Sequence, residues 1–431
     1  MNFPLLYPVE QVVDHPTVAN PAAEVRKAIL ESKLSSRIPK GGRVAVAVGS
    51  RGIAQLAVLV RSAVDTLKGL GYHAFIVAAM GSHGGATSEG QRQLLASYDI
   101  TPQTVGVPIS TAMEVVQIGT NSWGEPVYWD REAHQADGVI TISRIKPHTD
   151  FRGSFESGIV KMLVIGLGKR EGAATHHQYG ARGLRDMIPE SAKVILSRTN
   201  FALGIAVLEN AREGAALIRG VEPEDLFQVE PQLLERAREL MARLPFEELD
   251  LLVVGELGKN YSGTGMDVNV LGRQLVEGEP DSFQPRITRI CVLDLSPESH
   301  GNAVGLGLAD LTTQRLLARM DEHVTNMNYF TACFMLRAKI PPALPTDRAC
   351  IEMGMRTCWQ PHLDRLRLAI IPNTLELTHL WVSAAVAKEC RQQRSLKVGG
   401  EPVAVEFASD DRLEMARLFP HSLLARRKLD T

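Results

Sequence analysis

The chain has 431 residues, of which 45% are hydrophobic and 22% charged, and its formal net charge is -2. This length exceeds one ordinary hydrophobic core and predicts two domains, and the composition is that of a globular protein rather than a disordered one. The near-neutral charge, with both signs interspersed, argues against a nucleic-acid partner held on a broad basic surface and gives no reason to expect a membrane partner.

The N-terminal stretch MNFPLLYPVEQVVDHP has neither a basic segment nor a sustained apolar core, so a secretory signal is not expected. No apolar run approaches the roughly 18 to 20 residues that a membrane helix needs. The chain has five cysteines, Cys291, Cys333, Cys350, Cys358 and Cys390. They form no CxxC pair and are odd in number, which disfavours a disulfide framework or a zinc knuckle. We therefore expect a cytoplasmic protein whose cysteines are small, buried and unreactive.

Short apolar runs alternate with helical patterns through the first half of the chain. Strands are predicted for RVAVAVGS (43–50), HAFIVAAMGSH (73–83) and DGVITISRIKPH (137–148). Each of them is apolar on both faces and ends in glycine or next to a proline. A helix is predicted over 53–71, and Thr87 or Ser88 is predicted to cap the next helix. This alternation predicts a mainly parallel sheet covered by helices.

The second half begins after a charged helix predicted over 230–245. Strands are predicted over 250–258, 287–296 and 366–377, with a helical region over 308–336. A proline and an acidic cluster at 244–249 separate two self-contained alternating patterns. We therefore expect two α/β domains with mainly parallel sheets, one of residues 1–246 and one of residues 247–431.

Unusual polar residues follow the predicted strands. They lie in four stretches, GSRG (49–52), GSHGG (81–85), KPHTDFRG (146–153) and GKNYSGTGMD (258–267). Ligands of doubly wound α/β sheets bind just beyond the carboxyl ends of the strands, which makes these stretches candidate site loops. Arg51 is either a solvated turn residue or, if its turn opens a helix, part of a cradle for phosphate or carboxylate. The missing GxGxxG and GxxxxGK[ST] patterns argue against a dinucleotide site or a P-loop.

Two of these stretches carry a histidine. His83 has glycines on both sides, which would let the backbone approach a ligand closely, and His148 follows a proline. Imidazole suits proton transfer near neutral pH, although a single histidine is more often structural or exposed. If both loops lie at one edge of a sheet, the two histidines could act on a substrate from opposite sides.

The stretch GIVKMLVIGLGKREGAATHH (158–177) places Lys161 among six aliphatic residues. The lysine either snorkels to the surface or is desolvated, in which case its pKa falls and the amine becomes a nucleophile or a covalent anchor. His176 or His177 is a candidate metal ligand, but neither HExxH nor a Cys/His cluster accompanies them. A metal bound here would need further ligands that are not protein.

The order and spacing of these pieces resemble the lactate racemase family, whose members use a nickel-pincer nucleotide. The resemblance runs over about residues 40–275, continues more loosely to the C-terminus, and is strongest in SRIKPHTDFRGSFESGIVKMLVIGLGKREGAATHH. It implies that Lys161 carries the cofactor, a thiocarboxylated pyridinium mononucleotide joined through a thioamide. It also implies that His177, with His176 as the alternative, is the protein ligand of nickel, and that two sulfurs and one carbon of the cofactor complete the coordination.

The resemblance implies roles for the other site residues as well. His83 and His148 would be the two catalytic histidines, one taking the proton of the substrate's 2-hydroxyl while hydride passes from C2 to the pyridinium ring, the other serving the opposite enantiomer. Arg51 resembles the family's phosphate-binding arginine and would also contact the substrate. Lys259 corresponds to a lysine that binds the substrate carboxylate across a cleft between the domains. The remaining residues expected at the cofactor are Ser50, Gly81 and Ser82, and Asn260 is expected at the substrate.

Departures from the family pattern border the substrate more than the metal. The segment between His148 and Lys161 is longer, GKNYSGTGMDVNVLGR adds polar groups, and Val48 stands where the arginine turn commonly carries an aspartate. We therefore expect a racemase or epimerase that inverts C2 of a small-molecule 2-hydroxyacid in a divergent pocket, with cofactor-synthesis proteins as transient partners. Two alternatives remain: a Schiff-base enzyme built on Lys161, such as a lyase, and a non-catalytic protein that binds nickel or a nucleotide cofactor.

Overall fold

The computed structural model of the chain describes residues 2–12, 15–50, 52–281 and 284–427. The chain divides into two compact units, one of His15–Met241 and the other of Met1–Asp14 together with Ala242–Thr431. The second unit therefore contains the N-terminal segment, which the sequence analysis assigned to the first domain.

The first strand, β1 (Leu6–Gln11), explains this difference. It pairs antiparallel with two strands near the other end of the chain, His379–Ser383 and Leu396–Val398. Leu6 and Val9 of this strand are buried in the core of that unit. The local sequence predicts an apolar strand but does not show which sheet it joins, because pairing partners are set by tertiary packing.

The unit of residues 15–241 is built on one six-stranded sheet and a two-stranded ribbon. The strands are β2 (Arg43–Val48), β3 (His73–Ala78), β4 (Ile109–Ser110), β5 (Val115–Thr120), β6 (Pro126–Asp130), β7 (Gly138–Arg144), β8 (Phe201–Glu209) and β9 (Ala215–Val221). The sheet order is β4-β3-β2-β7-β8-β9, and β5 pairs with β6 in the ribbon. All neighbours in the sheet are parallel except β8 and β9. The predicted parallel sheet is confirmed.

Helices cover this sheet. They are α1 (Pro21–Leu30), α2 (Leu34–Arg37), α3 (Leu56–Gly69), α4 (Ser88–Ser97), α5 (Pro102–Val105), α6 (Arg131–His134), α7 (Ile159–Lys161), α8 (Lys169–His177), α9 (Gly180–Arg182), α10 (Ile188–Arg198) and α11 (Leu226–Leu240). Residues Met162–Gly166 and Gly183–Met187 are π-helical. Thr87 caps α4 as predicted, since its hydroxyl oxygen accepts from the Gly90 N–H at 3.0 Å. Helix α3 packs one face of leucine, valine and alanine side chains into the core, as its apolar spacing predicts.

The other unit has a mixed eight-stranded sheet. Its further strands are β10 (Glu248–Leu257), β11 (Arg286–Leu295), β12 (Leu311–Thr313), β13 (Ala343–Leu344), β14 (Leu368–Ile371), β15 (His379–Ser383) and β16 (Leu396–Val398). Its helices are α12 (Val268–Leu271), α13 (Gln314–Arg319), α14 (Glu322–Ala332), α15 (Asp347–Thr357), α16 (Ala384–Cys390), α17 (Met415–Leu418) and α18 (Leu423–Arg427). The order is β13-β12-β11-β10-β14-β15-β1-β16, and the first five strands are mutually parallel. The predicted α/β class is confirmed.

Two local predictions are wrong in this unit. The region 308–336 is not one helical stretch, because Thr312 and Thr313 pair with the sheet through β12 and their hydroxyls donate to carbonyls of β11. Cys333 is exposed at the end of α14, whereas the other four cysteines are buried. In the described parts of the chain, no helix has the length and hydrophobicity of a membrane span.

Candidate active site

Three loops that carry predicted site residues follow neighbouring strands of the six-stranded sheet. Strand β2 lies between β3 and β7, and all three run parallel. Ser50 follows β2, His83 follows β3 and His148 follows β7. The chain leaves β2 towards β3 on one side, and β7 adds on the other side, which is the topological switch point where such sheets bind ligands.

His83 is exposed on the loop after β3, and this loop is held by hydrogen bonds from Gln91 of α4. The His83 Nδ1 atom is hydrogen-bonded to the Ser50 hydroxyl, so the loops after β2 and β3 meet. The buried Gln91 amide donates to the carbonyl oxygens of Gly81 at 3.0 Å and of His83 at 3.3 Å. Gly84 has a φ of +66°, and a Cβ there would lie 2.7 Å from the Gln91 backbone nitrogen. The loop therefore needs glycine in order to approach α4 this closely.

The loop after β7 is closed at its base and holds His148 through a buried carboxylate. Lys146 and Ser157 form an antiparallel bridge that closes the loop. The fully buried Glu156 accepts the backbone N–H of His148 at 2.6 Å. The Asp150 backbone N–H donates to His148 Nδ1 at 3.1 Å.

Lys161 lies at the end of α7, where the helix continues into the π-helical segment Met162–Gly166. Its Nζ atom is in hydrogen-bond contact with His148 Nε2, and the side chain is partly buried. The Gly166 carbonyl oxygen accepts the N–H of Gly81 at 3.1 Å, which bonds this segment to the His83 loop. π-Helical turns occur frequently at functional sites. The amine thus faces an imidazole at the sheet edge.

A second lysine of the same stretch is the more deeply buried one. Lys169 is fully buried, its ammonium lies 2.9 Å from the Asp130 carboxylate, and it donates to the Ala78 carbonyl oxygen at the end of β3. Asp130 also accepts the Ala133 N–H at 2.8 Å. A buried lysine paired with a buried carboxylate in this way is a structural ion pair that joins α8, β3 and β6.

The two adjacent histidines differ in their surroundings. His176 is buried, its Nδ1 donates to the Gly172 carbonyl oxygen at 2.7 Å, and its Nε2 lies 2.9 Å from the Ser191 hydroxyl. Burial lowers the pKa of His176 to about 4. The neutral ring then accepts from Ser191, so both of its nitrogens are engaged within the protein.

His177 is only partly buried. Its Nδ1 donates to the Ala173 carbonyl oxygen at 2.6 Å, which leaves the lone pair on Nε2. Burial lowers the pKa of His177, and a positive charge on Lys161 lowers it further, whereas the Ala173 bond and Asp150 oppose this change. A neutral imidazole held by a backbone carbonyl is the form in which histidine binds metals. Within the described ranges, no group of three or more His, Cys, Asp or Glu residues is arranged as a metal site.

The remaining predicted residues fall into three groups. Gly81 and Ser82 lie in the turn that leads to His83, and Gly81 has a φ of +57°. Lys259 and Asn260 belong to the other unit, in the loop after β10, where Asn260 accepts from the Ser296 hydroxyl at 2.7 Å. Lys259 Nζ donates to the Gly263 carbonyl and lies 2.9 Å from Asn328 Oδ1. Arg51 lies outside the described residues.

The sequence analysis missed three buried polar residues that support the site, Gln91, Glu156 and Glu230. The sequence carries a signal for two of them, because they occupy core-facing positions of helices. Gln91 lies on the face of α4 that also buries Leu95, and Glu230 occupies a position of the apolar stripe of α11. A polar side chain at a core-facing helical position must find a partner, so it marks a buried hydrogen bond. Glu156 lies in a loop and gives no periodic signal.

Comparisons with known proteins gave matches to one family model and to solved structures. Residues 8–184 match the family model described as the lactate racemase N-terminal domain. No curated protein matches the chain. Among solved structures, the lactate racemase apoprotein from Thermoanaerobacterium thermosaccharolyticum is 12% identical, with a TM-score of 0.44 over 73% of this chain and 91% of that one. A structural-genomics protein from Thermotoga maritima is 14% identical, with a TM-score of 0.44 over 64% of this chain and 71% of that one. The match over residues 8–184 therefore shows a region similar to the lactate racemase N-terminal domain, within the first half of the chain.

Proposed function

We propose that the protein is a racemase or epimerase that inverts C2 of a 2-hydroxyacid with a nickel-pincer nucleotide tethered to Lys161. The match of residues 8–184 to the lactate racemase N-terminal domain favours a racemase- or epimerase-type activity. The observation that carries the proposal is the contact of Lys161 Nζ with His148 Nε2 at the carboxyl edge of the parallel sheet. His177 is close enough for a positive charge on Lys161 to add to burial in lowering its pKa. An amine, an acid/base histidine and a metal-competent histidine are the groups that this chemistry requires of the protein.

The side chains present fit the cofactor at two points. Lys161 would hold the cofactor covalently, since its amine reaches the edge of the site. The amine of Lys169, in contrast, lies in an ion pair in the core. His177 would ligate nickel, because its Nδ1 proton is fixed on Ala173 and Nε2 keeps its lone pair. The two internal hydrogen bonds of His176 make that ring the less suitable ligand. When bound, the cofactor supplies a reversible acceptor for the hydride of the substrate's C2.

The two histidines move the proton of the 2-hydroxyl group. His83 is hydrogen-bonded to a serine hydroxyl, which can donate or accept and therefore supports the ring both as a base and as an acid. His148 has the Asp150 carboxylate 3.6 Å from Nδ1, where it stabilises the ring when the ring is protonated. Their loops follow strands on either side of β2, as two-sided acid/base chemistry requires. That Lys259 and Asn260 contact the substrate stays a prediction.

The test is a chiral assay in D₂O of protein co-produced with the cofactor-synthesis proteins, over a panel of aliphatic, dicarboxylic and sugar 2-hydroxyacids. We expect inversion without deuterium at C2, because hydride is returned to the carbon it left. The H83N and H148N variants should each lose about a hundredfold or more in rate, whereas H134N, at an exposed position of the same unit, should not. Deuterium incorporation in step with inversion would contradict the proposal.

The contact between Lys161 and His148 also fits a Schiff-base enzyme, since a histidine beside the amine could transfer protons during imine formation. Borohydride trapping with carbonyl substrates distinguishes this candidate. A reduced adduct on Lys161 would support it, and the absence of an adduct in a protein that inverts hydroxyacids would exclude it. If the protein binds the cofactor without catalysis, replacing both His83 and His148 by alanine should leave cofactor uptake unchanged. Neither the wild type nor this variant should then show activity.

A further inference from the structure

The helical segment that carries Lys161 begins at a carboxyl group supplied by another helix. Glu230 of α11 accepts two backbone N–H groups with one oxygen, from Ile159 at 2.9 Å and from Val160 at 3.1 Å. The first N–H groups of a helix have no acceptor within the helix, so a side chain must supply one. No side chain of the segment's own sequence caps it, because the preceding residue is Gly158. Glu230 therefore fixes the start of the segment two residues before Lys161.

The carboxyl group of Glu230 is placed at a cost to stability. Glu230 is 1% exposed, and within the described ranges its second oxygen is buried with no hydrogen-bond partner. A Cβ at position 158 would lie 2.3 Å from that oxygen, so the glycine makes room for it. Burial raises the pKa of Glu230 to about 8. A buried acid that is only half satisfied destabilises a fold relative to an apolar side chain, which indicates a role other than stability.

The partner of Lys161 is held by the same helix. Arg238 lies two turns after Glu230 on α11 and donates to Glu156 at 2.6 Å. Glu156 in turn accepts the backbone N–H of His148 at 2.6 Å and that of Gly153 at 3.0 Å. Helix α11 thus reaches His148 through one arginine and one carboxylate. Eight residues of helix separate the two anchor points by about 12 Å.

We infer that Glu230 and Arg238 of α11 are positioning residues that together set the placement of the Lys161 amine against His148. The inference rests on the proposed function, because precise placement of the Lys161 amine matters only if the amine anchors a cofactor or reacts. It adds two residues to the site that do not touch substrate or cofactor. Helix α11 acts on both ends of the contact, and the loss of either bond moves one partner away from the other.

The test measures the reactivity of Lys161 in the full-length chain without cofactor. Acetylation by N-hydroxysuccinimidyl acetate is followed by mass spectrometry from about pH 6 to about pH 10, with the exposed Lys193 as internal reference. In E230L the lost acceptor should raise the population of the opened first turn about fivefold and speed Lys161 acetylation by the same factor. In E230Q one acceptor oxygen remains, so the rate should stay within about twofold of the wild-type rate.

R238Q keeps the inference testable if E230L does not fold, because the Arg238 side chain is 28% exposed and its loss leaves no core cavity. R238Q should also speed Lys161 acetylation, because the loss of the bond to Glu156 moves His148 away from the amine. E239Q is the matched control, since Glu239 is an exposed carboxylate of the same helix that pairs with Arg236. A folded E230L or R238Q protein with wild-type Lys161 kinetics and only a changed melting temperature would overturn the inference.

Failure of this inference and failure of the proposed function can be told apart. Acetylation kinetics need no cofactor, so they report on positioning alone. If the kinetics are unchanged but Lys161 still acquires the cofactor, the helix has no positioning role and the function stands. If the kinetics change as expected but no cofactor adduct forms, the positioning stands and the amine serves another reaction.

Discussion

The acid sensitivity of the His176 environment gives the most quantitative prediction. His176 is buried with both nitrogens bonded, and its pKa in the folded protein is about 4 instead of 6.5. The unfolded chain therefore binds a proton before the folded chain does. The stability contributed by the neutral ring is fully present above pH 6.5 and is lost as the pH falls from 6.5 towards 4.

The magnitude follows from that difference in pKa. Between the two values the free energy of unfolding falls by about 1.4 kcal/mol per pH unit, or about 3 kcal/mol in all. H176Q removes the titration. At pH 7 the variant should be less stable than the wild type by about 1 to 3 kcal/mol, because Gln cannot reproduce both bonds. The difference between the two proteins should then shrink, and reverse, towards pH 4.

Urea unfolding of wild-type protein, H176Q and H134Q at steps between pH 4 and pH 7.5 provides the measurement. Because the variants share the other unit, its contribution cancels in each difference. His134 is exposed in the same unit, and its replacement should change the free energy of unfolding by less than about 0.5 kcal/mol at any pH. A wild-type-minus-H176Q difference that stays constant over this pH range would refute the reasoning.

Three further predictions concern neighbouring residues. H177A should bind nickel at least about tenfold more weakly after cofactor loading, measured by metal analysis, while H176Q retains it; equal losses would contradict the assignment of His177. K169M should lower the free energy of unfolding by about 3 to 5 kcal/mol in urea titrations, because it leaves Asp130 buried without its cation; a change under about 1 kcal/mol would show that the ion pair does not matter. Q91A should reduce turnover more than stability, through a displaced His83 loop, and an unchanged rate constant would exclude this role.

The sequence predicts those features of the fold that depend on local patterns. The strands β2, β3 and β7 are apolar on both faces, and their spacing by helices predicts the parallel sheet and its loop-bearing edge. Helix α3 and the Thr87 cap also follow from local rules. The region 308–336 does not, because β12 is only three residues long and exists through its pairing with β11.

The sequence singles out the candidate side chains of this site but not the residues that hold them in place. Sequence motifs single out His83, His148 and Lys161, whose loops the fold brings to one edge. The sequence leaves His176 and His177 open as the nickel ligand, and the structure adds the hydrogen bond of His176 to Ser191, which favours His177. The assignment stays a prediction. Glu156 and Arg238 are polar residues in unremarkable sequence contexts, and only their three-dimensional contacts show their link to His148.

The most direct measurement is peptide mass spectrometry of the chain after co-production with the cofactor-synthesis proteins and nickel. Lys169 serves as an internal control for Lys161 in the same stretch. Lys161 contacts His148, whereas Lys169 forms a buried ion pair with Asp130. The account predicts a nucleotide adduct with sulfur and nickel on the Lys161 peptide, and an unmodified Lys169. A folded protein that inverts 2-hydroxyacids while Lys161 is unmodified and nickel is absent would contradict it.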